Sequence, residues 1–391
     1  MNIGDINIAN LCVGDVQALS ACVGDVVVWP TEQEDPMLRT PLTLKCTALD
    51  SYYNGFYLSI EDDNYGTPVS AETYTKNLYY SKNGGPLVEL SDWKQHSPEL
   101  SNSGVLIDDN VQVGDEYAFY GPSEGNGGLG TGDTASTNII ACERFRTSHK
   151  FLVYGNINSL LTDKAHFDRF AAGDETASTF YMAPFAFYKL FEEKYRFSFD
   201  DGNGKKLVLP STNLSTKCYS YMFNYCSGMT TAPELPATNL ATGCYYGMFA
   251  RCTLLANAPV LPATTLTESC YYGMFSGCTS LRTAPELPAT TLADACYHSM
   301  FVSCTTLTSA PELLAQVYAT SAYTNMFSGC SSLNYVKCLL EGTDIDIRWL
   351  RGVSSTGTFV KHPDSTWLKN ASSYSVTGRI PYGWTVEDAV L

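Results

Sequence analysis

Nine cysteines in the second half of the chain fall into two series. Cys218, Cys244, Cys270 and Cys296 form the first; Cys226, Cys252, Cys278, Cys304 and Cys330 form the second, eight residues behind it. Thiols at that spacing could ligate a metal, close disulfides or fill a core. A structural zinc site gathers its ligands in C-x2–4-C clusters with partners nearby, and this spacing has no such cluster. A cysteine that returns in every unit behaves as a small core-filling residue. Both series are read as buried thiols, with disulfides and metal ligation as the alternatives, and neither a metal nor a cofactor is expected.

Other candidate chemistry is sparse. His96, His149, His166, His298 and His362 are scattered, outside any nucleophile or metal motif. Asp62-Asp63, Asp108-Asp109 and Asp200-Asp201 are adjacent pairs in turn-like contexts, whereas a glycosidase needs two carboxyls facing each other across a bond. Gly125-Asn126-Gly127-Gly128-Leu129-Gly130 fits G-x-G-x-x-G, but no helix follows to supply a dipole, so it reads as a loop. Asp201-Gly202-Asn203-Gly204 hints at a calcium loop but lacks the ligand series and terminal Glu, and reads as a turn. The chain is expected not to be an enzyme; a glycan-cleaving activity is the least favoured alternative.

The cysteine series belong to a longer pattern. A shift of 26 residues brings Tyr219, Tyr245, Tyr271, Tyr297 and Tyr323 into one column, and Met222-Phe223 through Met326-Phe327 into the next. Met229, Leu255, Leu281, Leu307 and Leu333 form another. Ala-Pro-x-Leu recurs, as in Ala232-Pro233-Glu234-Leu235 and Ala284-Pro285-Glu286-Leu287. A fixed period of this length means stacked units that each need a neighbour to bury their apolar face. Residues 218–223 are expected as a short helical turn and Ala-Pro-x-Leu as a short strand. Ala186-Phe187-Tyr188-Lys189-Leu190-Phe191 is a degenerate copy at the N-terminal flank. After Leu333 the period fails, and an aromatic, turn-rich tail suits a cap.

Upstream, residues 41–152 carry seven candidate strands: 42–49, 56–61, 76–82, 86–90, 116–120, 138–142 and 151–154, with a hairpin signal at Asn83-Gly84-Gly85. They predict a β-sandwich. The first 30 residues repeat Gly-Asp every ten, at Gly4-Asp5, Gly14-Asp15 and Gly24-Asp25, flanked by Ile3 and Ile6, Val13 and Val16, and Val23 and Val26. So short a segment buries little surface alone, and these six apolar residues are the expected oligomerisation and attachment contacts. The fold class is therefore mixed β/α. It comprises a β repeat (1–30), a linker (31–40), a β-sandwich (41–152), a leucine-rich-repeat-like solenoid of 26-residue period (153–338) and a C-terminal cap (339–391).

Forty acids against 24 bases give a net charge of −16, which opposes binding to nucleic acid or to anionic lipid. No run approaches the ~18 apolar residues of a membrane span, so membrane insertion is not expected. The N-terminus has no basic, then apolar, leader pattern, so the chain is expected to stay where it is made or to leave by another route.

The stretch Cys270-Tyr271-Tyr272-Gly273-Met274-Phe275-Ser276-Gly277-Cys278-Thr279-Ser280-Leu281, followed by Ala284-Pro285-Glu286-Leu287-Pro288-Ala289-Thr290-Thr291-Leu292, resembles the BspA-like leucine-rich repeats of gut Bacteroidales surface proteins and their phages. The tail, with Gly357-Thr358-Phe359-Val360-Lys361 and Gly383-Trp384-Thr385-Val386, is similar to the usual C-terminus of that group. The Gly-Asp repeat resembles the virion-attachment end of Bacteroidales phage fibres. The resemblance implies a phage fibre on the virion surface, contacting other virion proteins and a host glycan or protein, and a homotrimer. A bacterial surface adhesin is the alternative. It also implies folding in a reducing cytosol, which favours free thiols.

Between the constant columns lie variable ones: Ser220, Tyr246, Tyr272, His298, Thr324; and Tyr221, Gly247, Gly273, Ser299, Asn325. Core positions are pinned by packing, so these columns are expected to be exposed and to form one face. Tyr221, Tyr225, Tyr246, Arg251, Tyr272 and His298 are the expected ligand-binding residues, because Tyr and Arg are enriched at binding hot spots.

Overall fold

The structure is a computed structural model that describes residues 2–3, 6–11, 19–23, 26–28, 35–50, 55–62, 78–90, 94–95, 103–121, 141–174, 177, 180, 182–341, 348–370 and 379–390. It is mostly β, with one α-helix among the described residues. Strands β1 (Asn2–Ile3), β2 (Ile6–Leu11), β3 (Leu19–Val23) and β4 (Val26–Val28) form an antiparallel sheet in chain order. Its register puts Ile3, Ile6, Val23 and Val26 in one row across all four strands. The six expected attachment residues thus include four strand positions; Val13 and Val16 lie outside the described residues.

Two sheets follow. One has the order β12 (Ala141–Arg146), β6 (Phe56–Asp62), β10 (Ser103–Asp108), β9 (Lys94–Gln95). The other joins β13 (Lys150–Asn156), β5 (Thr43–Ala48), β11 (Glu116–Tyr120), β7 (Leu78–Lys82) and β8 (Leu87–Leu90). Aromatic rings from the inner faces interlock. Phe56 lies 5.2 Å from Tyr117 and 4.9 Å from Phe151, and Phe119 lies 5.0 Å from Phe145. β9 and β10 were not among the expected strands. Ser103–Asp108 is a full member of its sheet, pairing with β6 and β9 on either side.

Strand β13 crosses the expected boundary at 152/153 and carries two further short strands in parallel, β14 (Phe197–Ser198) and β15 (Leu207–Val208). Within residues 31–40, a 3₁₀ turn at Pro36–Arg39 is capped by the Asp35 carboxylate. It is docked by Arg39, whose Nη1 donates to the Phe170 carbonyl at 2.9 Å, at the end of helix α1 (Lys164–Ala171). The Asp200–Asn203 segment is a turn whose carboxylates are used internally: Asp201 accepts from the Asn203 and Lys205 N–H groups.

From Cys218 to Cys330 the core aromatic rings lie in layers, each beside the ring 26 residues on. The Phe column stacks Phe223, Phe249, Phe275, Phe301 and Phe327 at 5.5–5.7 Å with nearly parallel rings. Tyr219, Tyr245, Tyr271, Tyr297 and Tyr323 do the same at 5.7–6.1 Å. All these residues, and both cysteine series, are buried. The degenerate copy continues the columns: Phe187 stacks on Tyr219, and Phe191 on Phe223. At the other end Trp349 stacks on Tyr323. Strands β16 (Tyr335–Cys338), β17 (Gly357–Lys361) and β18 (Trp384–Asp388) close the core as a parallel sheet.

The expected helical turn at 218–223 is absent. Residues 217–226 form a ribbon of consecutive turns in which alternate N–H groups point two ways. Those of Cys218, Ser220, Met222, Asn224 and Cys226 donate to the carbonyl three residues back. Those of Lys217, Tyr219, Tyr221, Phe223 and Tyr225 donate to the next layer, at Thr242, Cys244, Tyr246, Met248 and Ala250. An α-helix would consume its N–H groups internally and leave none to join the layers. The ribbon needs a left-handed residue every fourth position, here Lys217, Tyr221 and Tyr225 (φ 52°, 56° and 59°). The same triplet recurs at 243/247/251, 269/273/277, 295/299/303 and 321/325/329. The Ala-Pro-x-Leu strand is likewise reduced, to isolated parallel bridges such as Asn257↔Thr283 and Leu313↔Cys338, because Pro supplies no N–H to extend a ladder.

Eleven cysteines, namely Cys46, the nine of the two series and Cys338, are free and buried. The second series does more than fill space: Cys252, Cys278 and Cys304 each donate Sγ–H to the Phe carbonyl of the preceding layer (Phe223, Phe249, Phe275) at 3.1 Å. Burial raises their pKa, so the reactive thiolate is suppressed. Thiol titration without reductant should therefore find these eleven only after unfolding, with no more than the remaining three reacting in the native protein. Eleven fast native thiols would contradict the burial, and none after unfolding would mean disulfides.

Candidate functional site

The expected binding residues separate into two groups. Tyr221, Tyr246, Tyr272 and His298 form one continuous ring ladder. Centroids are 5.2 Å apart at Tyr221–Tyr246, then 4.3 Å at both Tyr246–Tyr272 and Tyr272–His298, the last two nearly parallel. Tyr188 of the flanking copy extends the row, meeting Tyr221 edge-on at 6.2 Å. Lys189 lies over both of those rings and was not singled out from the sequence. Aligning Phe187 and Phe191 with Tyr219 and Phe223 would have placed both Tyr188 and Lys189 here.

The ladder is half-buried rather than fully exposed. At its N-terminal end the same column is Ser220, only 1% exposed. The expectation that variation marks exposure therefore fails in this column. The neighbouring column, Tyr221, Gly247, Gly273, Ser299 and Asn325, varies for a different reason. All five sit in the left-handed region (φ 54–59°), which admits Gly and Asn readily and other residues at a cost. Half-burial and the neighbouring phenols push Tyr246 and Tyr272 up to about 12. Both hydroxyls are therefore neutral at physiological pH and can donate as well as accept.

Two of these glycines differ in a testable way. A Cβ on Gly273 would meet nothing, whereas one on Gly247 would lie 2.6 Å from the Tyr221 ring. Gly273→Ala should cost only the left-handed backbone term, ~1 kcal/mol. Gly247→Ala should cost more and shift Tyr221 off the ladder. Equal losses by thermal denaturation would contradict the close approach of Tyr221 to Gly247.

Tyr225 and Arg251 form the second group. The Arg251 guanidinium lies 4.5 Å over the Tyr225 ring and its Nη1 donates to the Tyr225 hydroxyl. Gly277 leaves room for this, since a Cβ there would lie 3.1 Å from Arg251 Cγ. Tyr225 also lines a pocket of 450 Å³ with Arg146, Lys194, Tyr195 and Arg196. Reasoning from the sequence missed these four, because they come from β12 and from the insertion after the flanking copy. The Arg144-x-Arg146 alternation on a strand was the available signal.

Elsewhere, the Asp108 and Asp115 carboxylates share Lys82, at 2.6 and 2.8 Å, and Asp108 accepts from the Tyr117 hydroxyl. Burial opposes ionisation, but hydrogen bonds from Lys82, Tyr117 and the Asn110 N–H to Asp108, and from Lys82, Asn83 and the Gln112 N–H to Asp115, outweigh it. Both carboxyls fall below the usual range. Neither is set to act as a general acid near neutral pH. Among the described residues no group of three or more His, Cys, Asp or Glu is placed to hold a metal ion. No described helix is long and apolar enough to cross a membrane.

Compared with family models, curated proteins and solved structures, the chain finds no match in any of the three.

Proposed function

We propose that this chain is a bacteriophage fibre protein that binds the host cell surface. The layered segment is a leucine-rich-repeat-like solenoid of 26-residue period, carried on a β-sandwich and closed by the C-terminal cap. The observation that carries the binding role is the Tyr221–Tyr246–Tyr272–His298 ladder. A half-exposed row of stacked rings with polar tips offers an apolar platform and hydrogen bonds together, which suits a glycan or a protein surface.

The N-terminal sheet is the attachment end. Its row of Ile3, Ile6, Val23 and Val26 would be covered in a homotrimer or against another virion protein, since about 30 residues bury too little alone. Mass spectrometry and immunogold labelling of purified virions test the reading. Protein found in the particle supports it. Protein found only on bacterial cells would replace it with the adhesin alternative. Light scattering of the full chain and of a form lacking residues 1–35 tests the trimer and its location.

A further inference from the structure

The pocket beside Tyr225 concentrates positive charge in a chain whose net charge is −16. Arg146, Lys194 and Arg196 line it, and Arg251 stands over the ring of Tyr225. Glu193 is on the wall, and Asp50 pairs with Arg196. Beneath them Arg144 and Glu192 form a buried ion pair at 2.5 Å. Three bases thus line the pocket with one acid, while Asp50 pairs with Arg196 and Arg251 with Tyr225 at the side of it. Two exposed rings flank the opening: Tyr225 at 41% and Tyr195 at 60% exposure, the latter with the Arg196 guanidinium 5.6 Å above it. Arg146 is held by Ser59 and Arg196 by the Ser148 carbonyl, so both guanidinium groups are positioned in advance of any ligand.

We propose that this pocket binds the carboxylate-bearing ring of an acidic sugar on the host surface. Guanidinium groups take a carboxylate through paired, charge-assisted hydrogen bonds. The Tyr rings supply an apolar wall for the C–H face of the sugar. A volume of 450 Å³ suits a small-molecule ring. The Tyr225–Arg251 pair ties the pocket to the repeat layers. The inference rests on the surface-binding reading above and names its ligand class.

Lys194 adds a pH signature. Burial and then the charges of Arg146 and Arg144 bring its pKa down to about 7. The other groups around it are Glu192, Glu193 and Cys226, and burial raises the Cys226 thiol well away from neutrality. A bound anion favours protonated Lys194, so affinity should fall as pH rises through that value.

The test uses the full chain and saturation-transfer NMR with glucuronate, galacturonate and N-acetylneuraminate, against glucose and galactose. At least one acid should bind about tenfold or more tightly than the neutral sugars, the worth of one charge-assisted contact. That binding should weaken from about pH 6 to pH 8.5, as Lys194 loses its proton. Arg196→Gln should lose it. Tyr195→Ala, at an exposed position that does not endanger folding, should weaken it severalfold. No preference for any acid overturns the proposal, and if the protein still binds host cells the surface-binding reading survives. A polyglutamate peptide that binds better than the sugars, with no effect of Tyr195→Ala, would make this an acidic-peptide site and also overturn it.

Discussion

Under reducing conditions the protein should unfold steeply just above pH 9. Ten thiols are buried in the layered segment and its closing strand, from Cys218 to Cys338. Burial pushes Cys218, Cys226, Cys270, Cys278, Cys296, Cys330 and Cys338 up to about 12, and raises Cys244, Cys252 and Cys304 further. In the unfolded chain a thiol ionises near 8.5. Above that pH the unfolded state releases protons that the folded state keeps, so stability is full below the unfolded value and is lost as pH rises. Each thiol contributes ~1.4 kcal/mol per pH unit, and ten together contribute ~14 kcal/mol. That is comparable with the whole stability of an ordinary domain, ~5–15 kcal/mol. Lys194 works in the opposite direction over the same range, but it is one group. Circular dichroism against pH, with a phosphine reductant, should show a sharp transition between about pH 9 and pH 10. A stable fold at pH 11 would mean that the thiols are not buried together.

Removing one ring from the middle of the Phe column should be the most damaging single substitution of the repeats. Phe275 is fully buried, lies 5.7 Å from both Phe249 and Phe301, and its carbonyl accepts from Cys304 Sγ. Phe275→Ala should cost ~3–5 kcal/mol through lost burial and the cavity left behind. Each layer touches only its neighbours, so the loss falls on a nearest-neighbour interface. Unfolding in urea should broaden or split into two transitions, one on each side of the third layer. Phe275→Leu should recover most of the loss. A single transition shifted by less than ~1 kcal/mol would contradict a continuous stacked core.

Which residues are buried was legible from the 26-residue columns, because packing constrains residue type at each repeat. Backbone conformation was less so. The 218–223 segment read as a helical turn, since partners 25 residues away, such as Cys244 for Tyr219, leave no local mark. The mark is there in the Gly, Ser and Asn residues recurring at the left-handed positions, whose variation reflects backbone conformation rather than exposure. In the candidate site, the ladder residues are legible in the sequence as the aromatic members of two adjacent variable columns. Arg146, Lys194 and Arg196 are not, because sheet pairing of β12 and the insertion after the flanking copy bring them to Tyr225 from outside the repeats.

If the ring ladder contacts the host, its two closely stacked members should be indispensable to binding. Tyr246→Ser with Tyr272→Ser removes them while leaving the buried Tyr245 and Tyr271 columns in place. Binding of the fluorescently labelled protein to host cells, with folding checked by circular dichroism, measures the consequence. Binding should drop by at least about tenfold, as for loss of hot-spot aromatics. Undiminished binding by a folded double variant would contradict a host-contacting ladder and move recognition elsewhere on the molecule.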